Sequence, residues 1–199
     1  MSDHPESNGN ASPQTRIKEV ADALELSSPL GGASACVSRL YRLHEQMKAM
    51  IAAEPFDSPD ARRLIAALDA HLSSRYSPEQ RFGPNLKPEQ LAQGLGTFVV
   101  ARIDGRAVGC GAIRLLDETT VEVKRMYVEP ELRGHGVAKE ILAHLEGAGQ
   151  ELGARRSVLE TGIYQDEAVG LYRRAGYTQV DCWGEYAAAP TSVCFEKTI

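Results

Sequence analysis

The sequence predicts an α/β protein of mixed type: a central mixed sheet of about seven strands with helices on both faces. Three observations predict it. Three apolar, β-branched runs at 97–103, 107–115 and 121–128 follow one another over short turns, which reads as antiparallel strands in succession. After the third run come a glycine-bearing loop, a segment of helical apolar spacing and a further strand at 157–161. A strand–helix–strand connection of this kind is parallel and right-handed. The 199 residues also have the length and ordinary composition of one domain with a substantial core.

Taken in order, residues 1–14 are polar and rich in Ser, Asn and Pro, the composition of a disordered segment. Residues 15–26 place Ile17, Val20, Ala21 and Leu24 on one helical face. Residues 27–32 read as a turn or linker, and 35–46 again have helical spacing. Residues 1–46 are therefore assigned to an N-terminal extension and 47–199 to the domain that carries the chemistry. Met47, at the junction, is a candidate translation start. Residues 48–54 fit a first strand stopped by Pro55. Ser58 and Pro59 mark a helix start, with Leu64, Ile65, Leu68 and Leu72 on its apolar face. Ser77-Pro78 and Gly83-Pro84 mark a long loop, and 87–91 a short helical turn. Asp104-Gly105 is a hairpin signal between the 97–103 and 107–115 strands. Pro130 stops the 121–128 strand. From Val137, the apolar residues Ile141, Leu142, Leu145, Ala148 and Leu152 follow at helical spacing. Asp166 is placed as the cap of a short helix over 167–175, ended by Gly176. Residues 177–181 and 192–197 read as a final antiparallel pair.

The stretch 121–152 is the one the chain is organised around. A helix start leaves backbone N–H groups unpaired and partially positive. Gly134 and Gly136 have no Cβ, so an anion can approach the backbone, and Arg133, His135 and Lys139 add positive charge or donors nearby. Such a junction suits a pyrophosphate. Glycine loops alone are weak evidence, since many simply start a helix.

The surrounding pattern is more specific. Arg133-x-x-Gly136-x-Ala138, directly after a strand ending Met126-Tyr127-Val128-x-Pro130, resembles the acyl-CoA pyrophosphate loop of the GNAT superfamily. Leu159-Glu160-Thr161-Gly162 resembles the end of that family's next strand. Ala168-x-x-Leu171-Tyr172-x-x-x-Gly176-Tyr177 resembles its last helix and following strand. The resemblance covers roughly 47–199. It implies a GNAT-like fold and an N-acetyltransferase that uses acetyl-CoA as co-substrate. It further implies cofactor contacts from Met126, Tyr127 and Val128, from Arg133, Gly134, His135, Gly136, Val137, Ala138 and Lys139 of the loop, and from Gln165. Gln165 stands where many relatives carry an Asn. In such proteins the region joining the first two strands lines the acceptor site, which makes Tyr76, Arg81 and Phe82 candidate acceptor contacts.

Acyl transfer from a thioester to an amine needs a polarised carbonyl, a deprotonated amine and a stabilised thiolate. In the resembling family the carbonyl is met by backbone N–H groups where the strand carrying the cofactor splays from its parallel neighbour, here Met126, Tyr127 and Val128. The 121–128 strand mixes charged and apolar residues on both alternating faces, unlike a simple buried strand. Glu122 is the candidate base, directly or through a water, because burial in a strand moves a carboxylate toward working pH. Glu160 is the alternative; the bland reading pairs both with Lys124 or Arg125. Tyr172 matches the family's tyrosine near the thioester sulfur and is the candidate acid, although Ala168, Leu171, Tyr172 and Ala175 also form one ordinary helical face. Ser157, Cys182 and Cys194 have no evident triad partners, so transfer is expected to be direct, without an acyl-enzyme.

The net charge of −5 argues against nucleic acid as a partner and leaves room for an amine-bearing small molecule or peptide. Homodimers are common in the resembling family. No apolar run approaches the roughly 18 residues of a membrane span. None of Cys36, Cys110, Cys182 and Cys194 has metal-site spacing, so no metal is expected. No signal-peptide pattern is present, and the cysteines are expected as reduced thiols in the cytoplasm. Two competing readings remain. A dinucleotide-binding domain would use Gly134-x-Gly136 and Glu160, but position 139 is Lys rather than a third Gly or Ala, and three antiparallel strands precede the loop. A non-catalytic acyl-CoA sensor would use the same loop.

Overall fold

Seven strands of the described residues lie in one sheet, in the spatial order 50–53, 96–103, 106–115, 120–128, 156–162, 192–198 and 178–180. The structure, a computed structural model, describes residues 49–80 and 85–199. The segments read over 1–46, the start at Met47, and Arg81 and Phe82 lie outside the described residues.

The elements are β1 (Met50–Ala53), α1 (Pro59–Ser73), β2 (Gly96–Ile103), β3 (Arg106–Leu115), β4 (Thr120–Val128), α2 (Val137–Glu151), β5 (Arg156–Gly162), α3 (Asp166–Arg174), β6 (Thr178–Val180) and β7 (Ser192–Thr198). β1 to β4 pair antiparallel in sequence, β4 and β5 pair parallel across α2, and β7 lies antiparallel between β5 and β6. Ser58 caps α1 by accepting from the Ala61 N–H at 3.0 Å, with Pro59 in the first position. α3 differs from expectation at its start. Gln165 is the N-cap, with no side-chain cap bond, and Asp166 is the first helical residue, where its charge still favours the helix dipole.

Helices cover both faces. α2 presents Val137, Ile141, Leu142 and Leu145 to Val99, Ile113, Val121 and Leu159, and Leu171 and Tyr172 of α3 belong to the same cluster. Full burial of each such aliphatic side chain contributes about 1.5–3 kcal/mol. α1 places Ala61, Leu64 and Leu68 against Phe98, Val100, Cys110, Ala112 and Tyr127 on the other face. α2 comes close to β3 because Gly111 has no side chain: a Cβ there would stand 2.8 Å from Ile141, Leu145 and Met126 side-chain atoms.

β4 carries the feature that shapes the site. Cys110 pairs with Tyr127 and Ala112 with Lys124, so Arg125 and Met126 together oppose Gly111. This is a β-bulge. Arg125 has φ 57°, left-handed and uncommon for a non-glycine residue. Its guanidinium is tied to Asp69 at 2.9 Å and Asn85 at 3.4 Å. The extra residue shifts the side-chain alternation by one. Val121 and Val123 face α2 before the bulge, and Met126 and Val128 face it afterwards. Glu122, Lys124 and Tyr127 share the opposite face. The mixture of charged and apolar residues in the 121–128 sequence is this change of phase.

The cysteines require a correction. Cys182 and Cys194, expected as reduced thiols, are joined by a disulfide. Val180 of β6 pairs with Cys194 of β7, so the chain leaving β6 carries Cys182 alongside, at a Cα separation of 5.2 Å. That separation lies within the range a disulfide spans. Cys110 is free and buried, and burial pushes its thiol up to about 12.

Candidate active site

β4 and β5 are paired only from Thr120–Arg156 to Val123–Leu159, although β4 runs on to Val128 and β5 to Gly162. Beyond Val123 the two strands part. The bulge at Arg125 follows directly, and bulges bend and twist the strand that holds them. A cleft of about 1700 Å³ occupies the opening. It is lined by the far halves of both strands, the C-terminal end of α1, the start of α2 and α3. Ordinary small-molecule pockets are about 300–1,000 Å³, so this one has room for a long ligand and a second reactant.

One end is built from backbone. A single 3-10 turn at Pro130–Leu132 follows β4. Gly134 and Gly136 then have φ of 79° and 89°, and Gly136 is the N-cap of α2 without any side-chain cap. The first N–H groups of α2 therefore remain available to a ligand, at the positive end of the helix dipole. Arg133 closes this end: its Nε donates to the Val128 carbonyl at 3.1 Å, and its guanidinium lies over the Tyr127 ring at 5.9 Å and 3.4 Å from Glu167. Met126, Tyr127, Val128, Arg133, Gly134, Gly136, Val137, Ala138, Lys139 and Gln165 all line the cleft. His135 is exposed, with Nδ1 3.0 Å from the Arg133 carbonyl, and does not line it.

The other end is built from side chains. Glu122, 1% exposed, is bound on Oε2 by Arg114 Nε at 2.7 Å and Nη2 at 2.6 Å. On Oε1 it accepts from the Tyr186 hydroxyl at 2.8 Å, with Lys124 Nζ 3.4 Å away. The pairing expected with Lys124 or Arg125 is thus dominated by Arg114, which stands opposite Glu122 in the β3–β4 register. Lys124 donates to the Tyr186 hydroxyl at 2.6 Å. Burial holds the Lys124 ammonium below its usual range, against the opposing pull of Glu122. Glu160, on β5, accepts from the Ser192 hydroxyl at 2.6 Å. Burial raises its carboxyl above the usual range, only partly offset by that hydrogen bond and by Lys124. Tyr76, an expected acceptor contact, is buried on the cleft wall, and its hydroxyl accepts from the Tyr164 N–H at 2.9 Å.

Tyr172 lines the cleft between the two ends, 5% exposed and packed on Tyr177 and Phe195. Its hydroxyl makes no hydrogen bond to the described residues, and burial raises its phenol well above the usual range. The structure brings Glu122, Glu160 and Tyr172 to one cleft. Sequence reasoning missed Arg114, Tyr186 and Ser192. Arg114 carried a signal, since a hairpin register would have set it opposite Glu122; Tyr186 lies in an irregular segment with no periodicity. Among the described residues, no helix is long and apolar enough to cross a membrane, and no group of three His, Cys, Asp or Glu could hold a metal.

Known proteins resemble this chain in sequence and fold. The acetyltransferase (GNAT) family model matches residues 62–177. An IAA acetyltransferase from Azospirillum brasilense is 36% identical over 138 residues, 69% of this chain and 89% of that protein. The uncharacterised N-acetyltransferase YjgM of Escherichia coli is 33% identical over 141 residues, 62% of this chain and 84% of that protein. A crystal structure described as an acyl-CoA N-acyltransferase from Klebsiella pneumoniae superposes with a TM-score of 0.64 at 34% identity, over 75% of this chain and 97% of that one. PaiA N-acetyltransferase of Thermoplasma acidophilum, solved with coenzyme A, has the same fold at 17% identity and a TM-score of 0.58, over 77% of this chain and all of that one. With the splayed strands, the capless helix start and these relatives together, the chain belongs to the GNAT family and is an N-acetyltransferase.

Proposed function

We propose that the protein moves an acetyl group from acetyl-CoA directly to a primary amine held at the side-chain end of the cleft. The observation that carries this reading is the parting of β4 from β5 beside a helix start without a side-chain cap. Acetyl-CoA, when bound, supplies the acetyl group as a thioester. The residues present fit it: the first N–H groups of α2, with Gly134 and Gly136 open to approach, suit the pyrophosphate. Arg133 and Lys139 add charge there. The backbone of Met126, Tyr127 and Val128 faces the gap, where an N–H can polarise the carbonyl.

The amine must lose a proton, since an alkylammonium has a pKa of about 10. Glu160 fits the base better than Glu122. Its carboxyl is raised toward working pH and has one hydroxyl partner, whereas Glu122 is held by a permanent guanidinium. Glu122 then serves to fix Arg114, Tyr186 and Lys124. Tyr172 keeps its proton, because burial raises the phenol well above a thiol's pKa of about 8.5. Its role is to donate a hydrogen bond to the departing thiolate rather than to surrender the proton outright.

The test is thiol release from acetyl-CoA over a panel of primary amines, amino acids and short peptides, followed by the mass of each product. Acceptor-dependent release with a gain of one acetyl group is expected. Tight binding of acetyl-CoA without release for any member would favour the acyl-CoA sensor instead. A burst of thiol equal to enzyme, before acceptor is added, would point to an acyl-enzyme and against direct transfer.

A further inference from the structure

The stretch from Cys182 to Cys194, which runs from beyond β6 into the start of β7, reaches into the acceptor end at three points. Tyr186 donates to Glu122 at 2.8 Å and accepts from Lys124 at 2.6 Å. Ser192 donates to Glu160 at 2.6 Å, and Thr191 to the Gln80 carbonyl at 2.9 Å. All three lie beyond the family-matched residues 62–177 and inside the span that the Cys182–Cys194 bond closes.

Before it enters β7 that span has little regular structure of its own. It contains one 3-10 turn, Gly184–Tyr186, and Gly184, Glu185, Ala187, Ala188 and Pro190 are exposed. Tyr186 itself is 3% exposed, stacked edge-on against Trp183 with ring centres 5.7 Å apart. Trp183 follows Cys182 directly. Cys194 sits on β7 opposite Glu160. The disulfide therefore fastens the approach to Tyr186 onto the strand that borders the acceptor carboxylate. Among the described residues, no hydrogen bond, ion pair or ring contact joins the span to the loop at 133–139.

We propose that Tyr186 is a positioning residue of the acceptor end and that the Cys182–Cys194 bond clamps it there, so that reduction weakens acceptor use and leaves acetyl-CoA binding intact. The acceptor half of this inference rests on the transferase reading above. Cys182 is half-buried and Cys194 buried, which makes Cys182 the more accessible side of the bond. In the complete exchange a dithiol closes to its own disulfide, and its two electrons and two protons leave Cys182 and Cys194 as thiols. The Tyr186 segment is then held by its side-chain contacts, by the Ile163 N–H bond to the Thr191 carbonyl and by the strands at its two ends, without the covalent tie beside Trp183. Lys124 and Glu122 lose a fixed common partner.

The full chain, purified without reductant, is compared before and after treatment with a dithiol. Alkylation in denaturant first counts the thiols; finding Cys182 and Cys194 both alkylated before reduction would overturn the clamp. Hydrogen exchange is expected to quicken about tenfold or more in 183–192 and to stay unchanged in 133–139. Equal protection of 183–192 in both states would also overturn it. Acceptor KM is expected to rise about tenfold on reduction, the effect of losing a hydrogen bond to a charged group, while the acetyl-CoA Kd moves less than about twofold. Tyr186→Phe should already carry the raised KM and respond little to the dithiol. A full wild-type response in that variant would remove Tyr186 as the mediator. Exchange needs no acceptor: a change confined to 183–192 in a protein that acetylates no amine would uphold the clamp and remove the transferase reading.

Discussion

The two ends of the cleft are made differently. The proposed acetyl-CoA end is one contiguous piece of backbone, from Arg133 to Lys139, whose donors are peptide N–H groups at a helix start. The proposed acceptor end is assembled from side chains distant in sequence: Arg114 on β3, Glu122 and Lys124 on β4, Glu160 on β5, and Tyr186 and Ser192 beyond β6. A backbone site recognises an anion whatever its neighbours carry, and local spacing fixes it. A side-chain site depends on each member having its partners, and any one of them can be changed without moving the strands. Within one fold, the first kind suits a co-substrate that stays constant and the second an acceptor that varies.

The largest expected effect follows from that dependence. Glu122→Ala leaves Arg114, whose side chain is 9% exposed, as an uncompensated charge behind the cleft. Breaking a buried pair in this way costs about 3–5 kcal/mol, to be read from denaturant unfolding. Glu122→Gln keeps an oxygen for the guanidinium and should cost less. A loss under about 1 kcal/mol for the alanine variant would show that water reaches Arg114 and that the acceptor end is less tightly interlocked than described.

Next in size come the two groups proposed to act at the reacting atoms. Tyr172→Phe should lower kcat by about a hundredfold and leave the acetyl-CoA Kd nearly unchanged, since among the described residues none hydrogen-bonds to that hydroxyl. Unchanged turnover would return Tyr172 to the core. Glu160→Gln should lower kcat/KM by a similar factor, about a hundredfold. The pH profile separates this from mere packing. A base acts when ionised, and burial raises the Glu160 carboxyl, so activity should climb with pH along a limb above the ordinary carboxylate range and lose that limb in the Gln variant. The same shift has a stability sign. A carboxyl raised by folding favours the native state fully below its unfolded pKa, and that contribution is lost as pH rises through the folded value. Glu160→Gln should therefore flatten the fall in stability over that window. A limb that survives the substitution would assign the base to another group.

The contrast between the ends also explains what could be read from the sequence. The loop was legible because its chemistry is local: strand, glycines and helical spacing are all contiguous. The strands were legible to within a residue or two for the same reason. The bulge left a trace, the change of phase after Lys124, but alternation alone does not say which residue is extra; the pairing of Ala112 with Lys124 and Cys110 with Tyr127 does. Arg114, Tyr186 and the disulfide depend on register between strands and on an irregular segment, and neither has a period. Cys182 and Cys194 lack any spacing motif, and only the β6–β7 pairing brings them together.

The smallest effect tests the backbone end by itself. Gly136→Ala adds a methyl group that meets nothing within 4 Å, so packing does not oppose it. Conformation does: φ at this position is 89°, and an L-residue in the left-handed region costs roughly 1–2 kcal/mol. The chain can accept that cost as lost stability, or relieve it by turning the α2 start out of line. In the first case the melting temperature falls and the acetyl-CoA Kd holds. In the second the Kd rises by about tenfold, the equivalent of 1.4 kcal/mol, because the N–H groups no longer converge. Either way acceptor KM, measured at saturating acetyl-CoA, should not move, since none of Arg114, Glu122, Lys124, Glu160 and Tyr186 has a hydrogen bond or ion pair with Gly136. A matching rise in acceptor KM would mean that the two ends communicate through β4, and that the division between a backbone site and a side-chain site is one of construction but not of energy.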